Sequence, residues 1–344
     1  MTKRHMECLP KGKIMTKPRA LLLEAKDDER FDFFRQLNEV AELSFENKRG
    51  RYTEDDLSEM IGPYDAVMIT SQHAITSRVI EAAPKLRIIV KRGAKPENVD
   101  YEAATRKGIV VAWTPGVNYV AVAEHAAMLM LCLAKKTIPQ MEKLKSGAWR
   151  ESDAGLQELY RKTVGIVGLG GIGRVLCRML GGFGVKLLVY DPYISPTQAK
   201  DVNANLVDLE DLLKQSDYVT LHAALTEETR HLIGGKELSI MKKTAYLINT
   251  ARGGLIDESS LVKALRKGEI AGAGLDVFEP EPPEHENPLL HLPNVVVTPH
   301  MAGWSDEAVY REQKEAALEI KLVLQGESPR YPINPEALKK RKQS

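Results

Sequence analysis

Thr163-Val-Gly-Ile-Val-Gly168-Leu-Gly170-Gly-Ile-Gly173-Arg-Val-Leu, followed by Val185-Lys-Leu-Leu-Val-Tyr-Asp191, is the stretch that decides the fold. The opening apolar run suits a buried strand. Glycines at 168, 170 and 173 have the G-x-G-x-x-G spacing, and Ile172, Val175, Leu176, Met179 and Leu180 continue at helical period. A second apolar run then ends in an acid, Asp191. Strand, glycine turn, helix and acid in this order form the dinucleotide-binding fingerprint in its required context. The first glycine allows the tight turn, the second lets backbone approach a pyrophosphate, and the third lets helix and strand pack closely. Free N–H groups and the positive end of the helix dipole then face the phosphates. Asp191 accepts from ribose hydroxyls and repels a 2′-phosphate, so NAD is favoured over NADP.

Composition sets the bounds. The 344 residues are enough for two domains, and 43% hydrophobic with 28% charged residues is ordinary for a soluble globular protein. A net charge of +1 favours neither nucleic acid nor a membrane surface, so neither is expected as a partner. Cys8, Cys132 and Cys177 are scattered, without disulfide or metal spacing, which fits a reducing cytoplasm. The basic start Met1-Thr-Lys-Arg is followed by no apolar run of signal-peptide type, and no stretch is long enough to span a bilayer.

Working outward, residues 1–18 are polar with Pro10, Gly12 and Pro18, and read as a disordered extension. Arg19–Ala25, Asp65–Thr70, Leu86–Val90 and Ile109–Ala112 read as four strands separated by helical patterns. Val120–Ala134 is a helix apolar almost all round, which must be buried by its own domain or by another subunit. Residues 139–161 read as an arm or loop. Beyond Asp191, strands are expected at Tyr218–His222, Thr244–Thr250, Ala271–Phe278 and Asn294–Thr298, then a helix over Glu307–Leu324. The tail from 336 to 344 reads as a solvated charge run. The expected class is α/β with two doubly wound parallel sheets. Residues 115–304 would form a Rossmann-type NAD domain. Residues 19–114 with 305–335 would form a smaller, flavodoxin-like substrate domain.

Polar residues collect at the carboxyl ends of these strands: Gly168, Asp191, His222, Thr250, Arg252, Asp276 and His300, with Ser71 and the loop Lys91-Arg-Gly-Ala-Lys95 in the first domain. That edge is where open α/β sheets bind ligands. Hydride transfer from NADH to a 2-oxo acid needs a cation for the carboxylate and ketone, a proton donor, and a group that orients the donor. Arg252 suits the first role. His300 suits the second. Glu281 suits the third, because a carboxylate on the far ring nitrogen fixes the tautomer and favours the protonated ring. Asp276 would accept from the nicotinamide carboxamide, and His222 would pack beside the cofactor. The histidines do not fall at metal-ligand spacings, so no metal is expected.

Around these residues the chain resembles the D-isomer-specific 2-hydroxyacid dehydrogenases, which include phosphoglycerate, glyoxylate/hydroxypyruvate and D-lactate dehydrogenases. The likeness covers roughly residues 19–335. Val164–Gly173, Asn249-Thr-Ala-Arg-Gly-Gly-Leu-Ile-Asp257, Gly274-Leu-Asp-Val-Phe-Glu-Pro-Glu281-Pro and Thr298-Pro-His-Met-Ala-Gly303 carry it. The resemblance implies catalysis by Arg252, Glu281 and His300. It implies cofactor contacts from Gly171, Ile172, Asp191, Ala223, Thr250 and Asp276; Gly168, Gly170, Gly173, His222, Ala251, Arg252, His300 and Gly303 are further candidate cofactor contacts. It also implies a homodimer formed through the cofactor domain, consistent with the helix 120–134. In the family, backbone N–H groups of a glycine-rich loop bind the substrate carboxylate. Here Gly93 and Ala94 hold that place, while the usual second glycine is Lys95. Lys91 falls where phosphoglycerate dehydrogenases often carry a base, but the position of their other arginine is Thr70. Two readings of this loop stand: solvated charges, or a clamp of Lys91 or Lys95 with Ser71 for extra oxygens beyond C2. A non-enzymatic NADH sensor of the same fold is the competing functional class.

Overall fold

The computed structural model describes residues 17–25, 31–48, 52–150 and 155–341. Most of the expected disordered extension, and the last residues of the tail, lie outside these. The chain divides into two compact units, residues 1–115 with 310–344, and residues 116–309.

The smaller unit holds a parallel sheet of five strands: β1 (Arg19–Leu23), β2 (Glu42–Glu46), β3 (Ala66–Ile69), β4 (Ile88–Lys91) and β5 (Val110–Trp113). Their order is β2-β1-β3-β4-β5, the flavodoxin-like order. β2 was not expected. It pairs only with β1, from Arg19↔Glu42 to Leu23↔Glu46, and its residues are at most half-buried. β1, β3, β4 and β5 are largely apolar runs because both faces of the sheet are covered. Leu21, Val67 and Ile89 pack on one face against Leu57, Ile61 and Ile80. Leu22, Met68 and Val90 pack on the other against Ala316, Ile320 and Val323 of the helix Asp306–Leu324.

The larger unit holds seven parallel strands: β6 (Thr163–Val167), β7 (Lys186–Tyr190), β8 (Ala204–Leu206), β9 (Tyr218–Leu221), β10 (Tyr246–Asn249), β11 (Gly272–Leu275) and β12 (Val295–Val297). Their order, β12-β11-β10-β9-β6-β7-β8, reverses direction between β6 and β9, the switch point where Rossmann sheets bind dinucleotides. β8, a three-residue edge strand, was again not expected. The helix Tyr119–Ala134 lies on one face, its Ala126, Leu129, Met130 and Leu133 buried with Leu176, Leu180 and Ile248. Leu212, Leu238, Leu261 and Leu265 cover the opposite face.

Two further expectations change. The segment expected as an arm begins with a helix, Thr137–Lys145, whose Ile138, Met141 and Leu144 recur every three residues and are exposed. In the expected charge-run tail, Ala337–Arg341 forms a short helix. Among the described residues, no helix is long and apolar enough to cross a membrane.

Candidate active site

The glycine turn after β6 sits at the switch point. Gly168 has φ +94°, and a Cβ there would lie 2.8 Å from the carbonyl carbon of His222 and the amide nitrogen of Ala223. Only glycine lets the turn pass so close to the end of β9. Gly170 caps the helix Gly171–Gly181, and a Cβ on it would meet nothing within 4 Å. Gly171, Ile172 and Gly173 form the first turn of that helix. The ring of Tyr119 lies against Gly171. Asp191 ends the next strand, and its carboxylate accepts the Leu169 N–H at 2.8 Å and the Tyr193 N–H at 2.9 Å. It therefore holds the glycine turn in place, with oxygen lone pairs remaining for ribose hydroxyls.

His222 and Ala223 follow β9, half-buried. The His222 Nε2 lies 2.9 Å from Thr220 Oγ1. Burial pushes this histidine down to about 4, so it is neutral at pH 7. Its Nδ1 is buried without a hydrogen-bond partner, and so is Thr250 Oγ1, just beyond β10. Two orphaned polar atoms and an open helix N-terminus, all at one sheet edge, suit a polar dinucleotide.

The catalytic candidates converge beside them. Asn249 shapes the turn after β10: its amide group donates to the Arg252 carbonyl at 2.8 Å and accepts the Ala251 N–H at 3.0 Å. Arg252 Nη1 donates to the Ala251 carbonyl at 2.7 Å. A Cβ on Gly253 would collide with the Phe278 carbonyl, so this glycine brings the Arg252 turn onto the segment that carries Glu281. One Glu281 oxygen accepts the Phe278 N–H at 3.1 Å, and the other lies 2.7 Å from His300 Nδ1. Burial raises the Glu281 carboxyl, but the His300 hydrogen bond and charge, the Phe278 amide and the Arg252 guanidinium together hold it below the usual carboxylate range. With a charged acceptor on Nδ1, the exposed ring of His300 has Nε2 left for a reacting oxygen.

Asp276, expected to meet the nicotinamide carboxamide, also holds protein groups in place. Its side chain is fully buried. Its carboxylate takes the Thr298 hydroxyl at 2.5 Å and the Met301 and Ala302 amides at 2.8 Å each. The loop that carries His300 is thus pinned from below. Gly303 ends this loop beside Asn118. Residue types alone did not reveal this, since two of the three donors are backbone groups.

In the smaller unit the expected substrate groups differ in exposure and bonding. Ser71 and Lys95 are exposed, and Ala94 is half-buried. Gly93, expected to offer its N–H to a carboxylate, donates it to Thr114 Oγ1 at 2.7 Å in a buried bond. Lys91 is buried and donates to the Ala94 carbonyl at 2.8 Å, so it staples the loop. Arg92, read only as part of a charged loop, is buried and donates to the Glu24 carbonyl at 3.1 Å. His73 joins the same edge, its Nδ1 accepting the Thr70 N–H at 3.0 Å. These burials were invisible in a loop composition that reads as solvent-facing. Among the described residues, no cluster of His, Cys, Asp or Glu could hold a metal ion.

Residues 127–302 match the family model described as D-isomer specific 2-hydroxyacid dehydrogenase, NAD binding domain. A glyoxylate reductase of Thermococcus litoralis is 40% identical over 289 residues, covering 82% of this chain and 87% of that protein. A D-3-phosphoglycerate dehydrogenase of Methanocaldococcus jannaschii is 41% identical over 305 residues, covering 88% of this chain but 57% of that protein. The chain spans little more than half the length of such dehydrogenases. Among solved structures, the TT0316 protein of Thermus thermophilus superposes with a TM-score of 0.83 at 32% identity, covering 91% of this chain and 99% of that one. The chain belongs to the D-isomer specific 2-hydroxyacid dehydrogenase family, and its larger unit carries the family's NAD-binding domain.

Proposed function

We propose that the protein is an NAD-dependent D-2-hydroxyacid dehydrogenase that interconverts a small 2-oxo acid and its D-2-hydroxy acid. The His300–Glu281 pair at 2.7 Å, beside the Arg252 turn at one sheet edge, is the observation that carries this reading. NADH supplies the hydride when bound. Gly168, Gly170 and the first turn at Gly171–Gly173 would bind its pyrophosphate, Asp191 its adenosine ribose, and Thr250 a further polar group. Arg252 would hold the substrate carboxylate and draw electron density from the ketone. His300 would give its Nε2 proton to the oxygen that becomes alkoxide, and take it back in the reverse direction. Glu281, ionised and bonded to Nδ1, would orient the ring and favour its protonated form.

The smaller unit is proposed to select the substrate, through Ser71, Ala94 and Lys95. The preferred substrate class is of the hydroxypyruvate, glyoxylate or phosphohydroxypyruvate type, and pyruvate should be a poor substrate. The names of the glyoxylate reductase and phosphoglycerate dehydrogenase relatives support this class. Comparing kcat/KM for these four acids, in wild type and in Lys95→Ala, tests it; a best rate with pyruvate would sink it. We also propose a cytoplasmic location and a homodimer. Met128, Leu131 and Phe183 line a cavity of about 540 Å³ with Ala127, Cys132 and Met179, and Met128 and Phe183 are exposed. An apolar face of this kind suits a second copy.

A further inference from the structure

His125 sits on the helix Tyr119–Ala134, one turn before Leu129, whose Cβ would lie 3.0 Å from a Cβ on Gly274. That packing aims His125 at the carboxyl ends of β11 and β12. Its Nε2 lies 2.9 Å from Thr298 Oγ1 and 3.6 Å from Asp276 Oδ1. The hydroxyl of Thr298 has one hydrogen, which it donates to Asp276 at 2.5 Å. Thr298 Oγ1 is therefore an acceptor toward His125, and His125 Nε2 carries a hydrogen. Asp276 then distributes this support: its carboxylate holds the amides of Met301 and Ala302, and its carbonyl accepts the His300 N–H at 2.8 Å. The residue so held has φ +54°. For a residue with a side chain this left-handed conformation is unfavourable, and it persists only where neighbours over-determine it.

We propose that His125 is a positioning residue for the reaction, acting through Thr298 and Asp276 on the loop that presents His300 to Glu281. This inference rests on the dehydrogenase reading above. A buried carboxylate that accepts several donors keeps its geometry only while they are in place. Removing His125 takes away the donor that fixes Thr298, and leaves Asp276 freer to turn from Met301 and Ala302. The His300–Glu281 contact lengthens as a result. Purely structural packing would lower stability without touching that contact.

The test compares His125→Ala with His125→Gln, whose amide nitrogen reaches the place of Nε2. In His125→Ala, kcat for 2-oxo acid reduction should fall about tenfold, as small misplacements at a reacting centre do. NADH affinity should stay within about twofold, and the alkaline limb of the kcat profile should move toward acid. His125→Gln should restore both. The ring N–H proton of His300, observed by NMR and assigned by its loss in a His300 variant, should move upfield in His125→Ala and return in His125→Gln. A folded His125→Ala protein with wild-type kcat, limb and resonance overturns the inference, whatever its Tm. If wild type reduces no 2-oxo acid at all, the dehydrogenase reading fails instead, and the resonance alone decides whether His125 positions His300.

Discussion

Replacing Glu281 by Gln keeps the shape of the side chain and removes its charge. The pair it forms with His300 is 2.7 Å long, with side chains 34% and 45% exposed respectively. Two unit charges with centres about 4 Å apart attract by ~1–4 kcal/mol for an effective dielectric constant between 80 and 20. Exposure and solvent screening place this pair at the lower end, about 1–2 kcal/mol. A factor of ten corresponds to ~1.4 kcal/mol, so the preference for the protonated ring should fall by about 5–30-fold. The direction follows from the state of the acid. Glu281 is held below the usual carboxylate range, so it is ionised at neutral pH and favours a cationic ring. In Glu281→Gln the alkaline limb of the reduction rate should therefore move to lower pH by about one unit, on that free energy. The loss of kcat should be largest near neutrality and shrink as the solution is acidified. Steady-state NADH oxidation between pH 5 and 9 measures this. A uniform loss at every pH, or a limb that does not move, would refute the reasoning about this pair.

Other outcomes follow from the same geometry. Asp191→Ala should weaken NADH by about tenfold, as loss of hydrogen bonds to a charged group does, and narrow the gap to NADPH. It should also lower Tm, because Asp191 holds the Leu169 amide; calorimetric titration with both cofactors checks the first effect. Met128→Glu should leave a monomer in light scattering if the apolar face around the cavity is the dimer contact. His73, His125 and His222 are each pushed below the ordinary histidine range, chiefly by burial. The unfolded chain then binds more protons than the folded one from about pH 6.5 downward, so stability is level above that pH and falls with acidification. Tm measured from pH 8 to 4.5 should show this break, and His222→Gln should soften it.

Much of this was legible in the sequence because parallel sheets write themselves plainly. A strand buried on both faces is an unbroken apolar run, and the polar residue that ends it marks the ligand edge. Gly168, His222, Thr250, Asp276 and Thr298 could be placed that way. β2 and β8 could not, since β2 has no fully buried residue and β8 is three residues long with one buried, so neither shows such a run. The helix Thr137–Lys145 was missed because its apolar residues are diluted by lysines and polar neighbours. Within the site, what escaped were contacts across long stretches of chain. The Gly93 amide is taken by Thr114, and Asp276 works on amides some 25 residues away. Arg92 reads as a surface charge until Glu24 is folded against it.

The proposed function requires that this chain perform hydride chemistry and not merely sense NADH. Incubating wild type and Arg252→Ala with NADH and glyoxylate or hydroxypyruvate, while following absorbance at the reduced nicotinamide band and the chirality of the hydroxypyruvate product, tests it most directly. Wild type should consume NADH and form a D-hydroxy acid from hydroxypyruvate, with the rate reduced by ~10²-fold or more in Arg252→Ala, as for loss of a group that stabilises developing charge. Tight NADH binding by wild type with no turnover of any 2-oxo acid would contradict it.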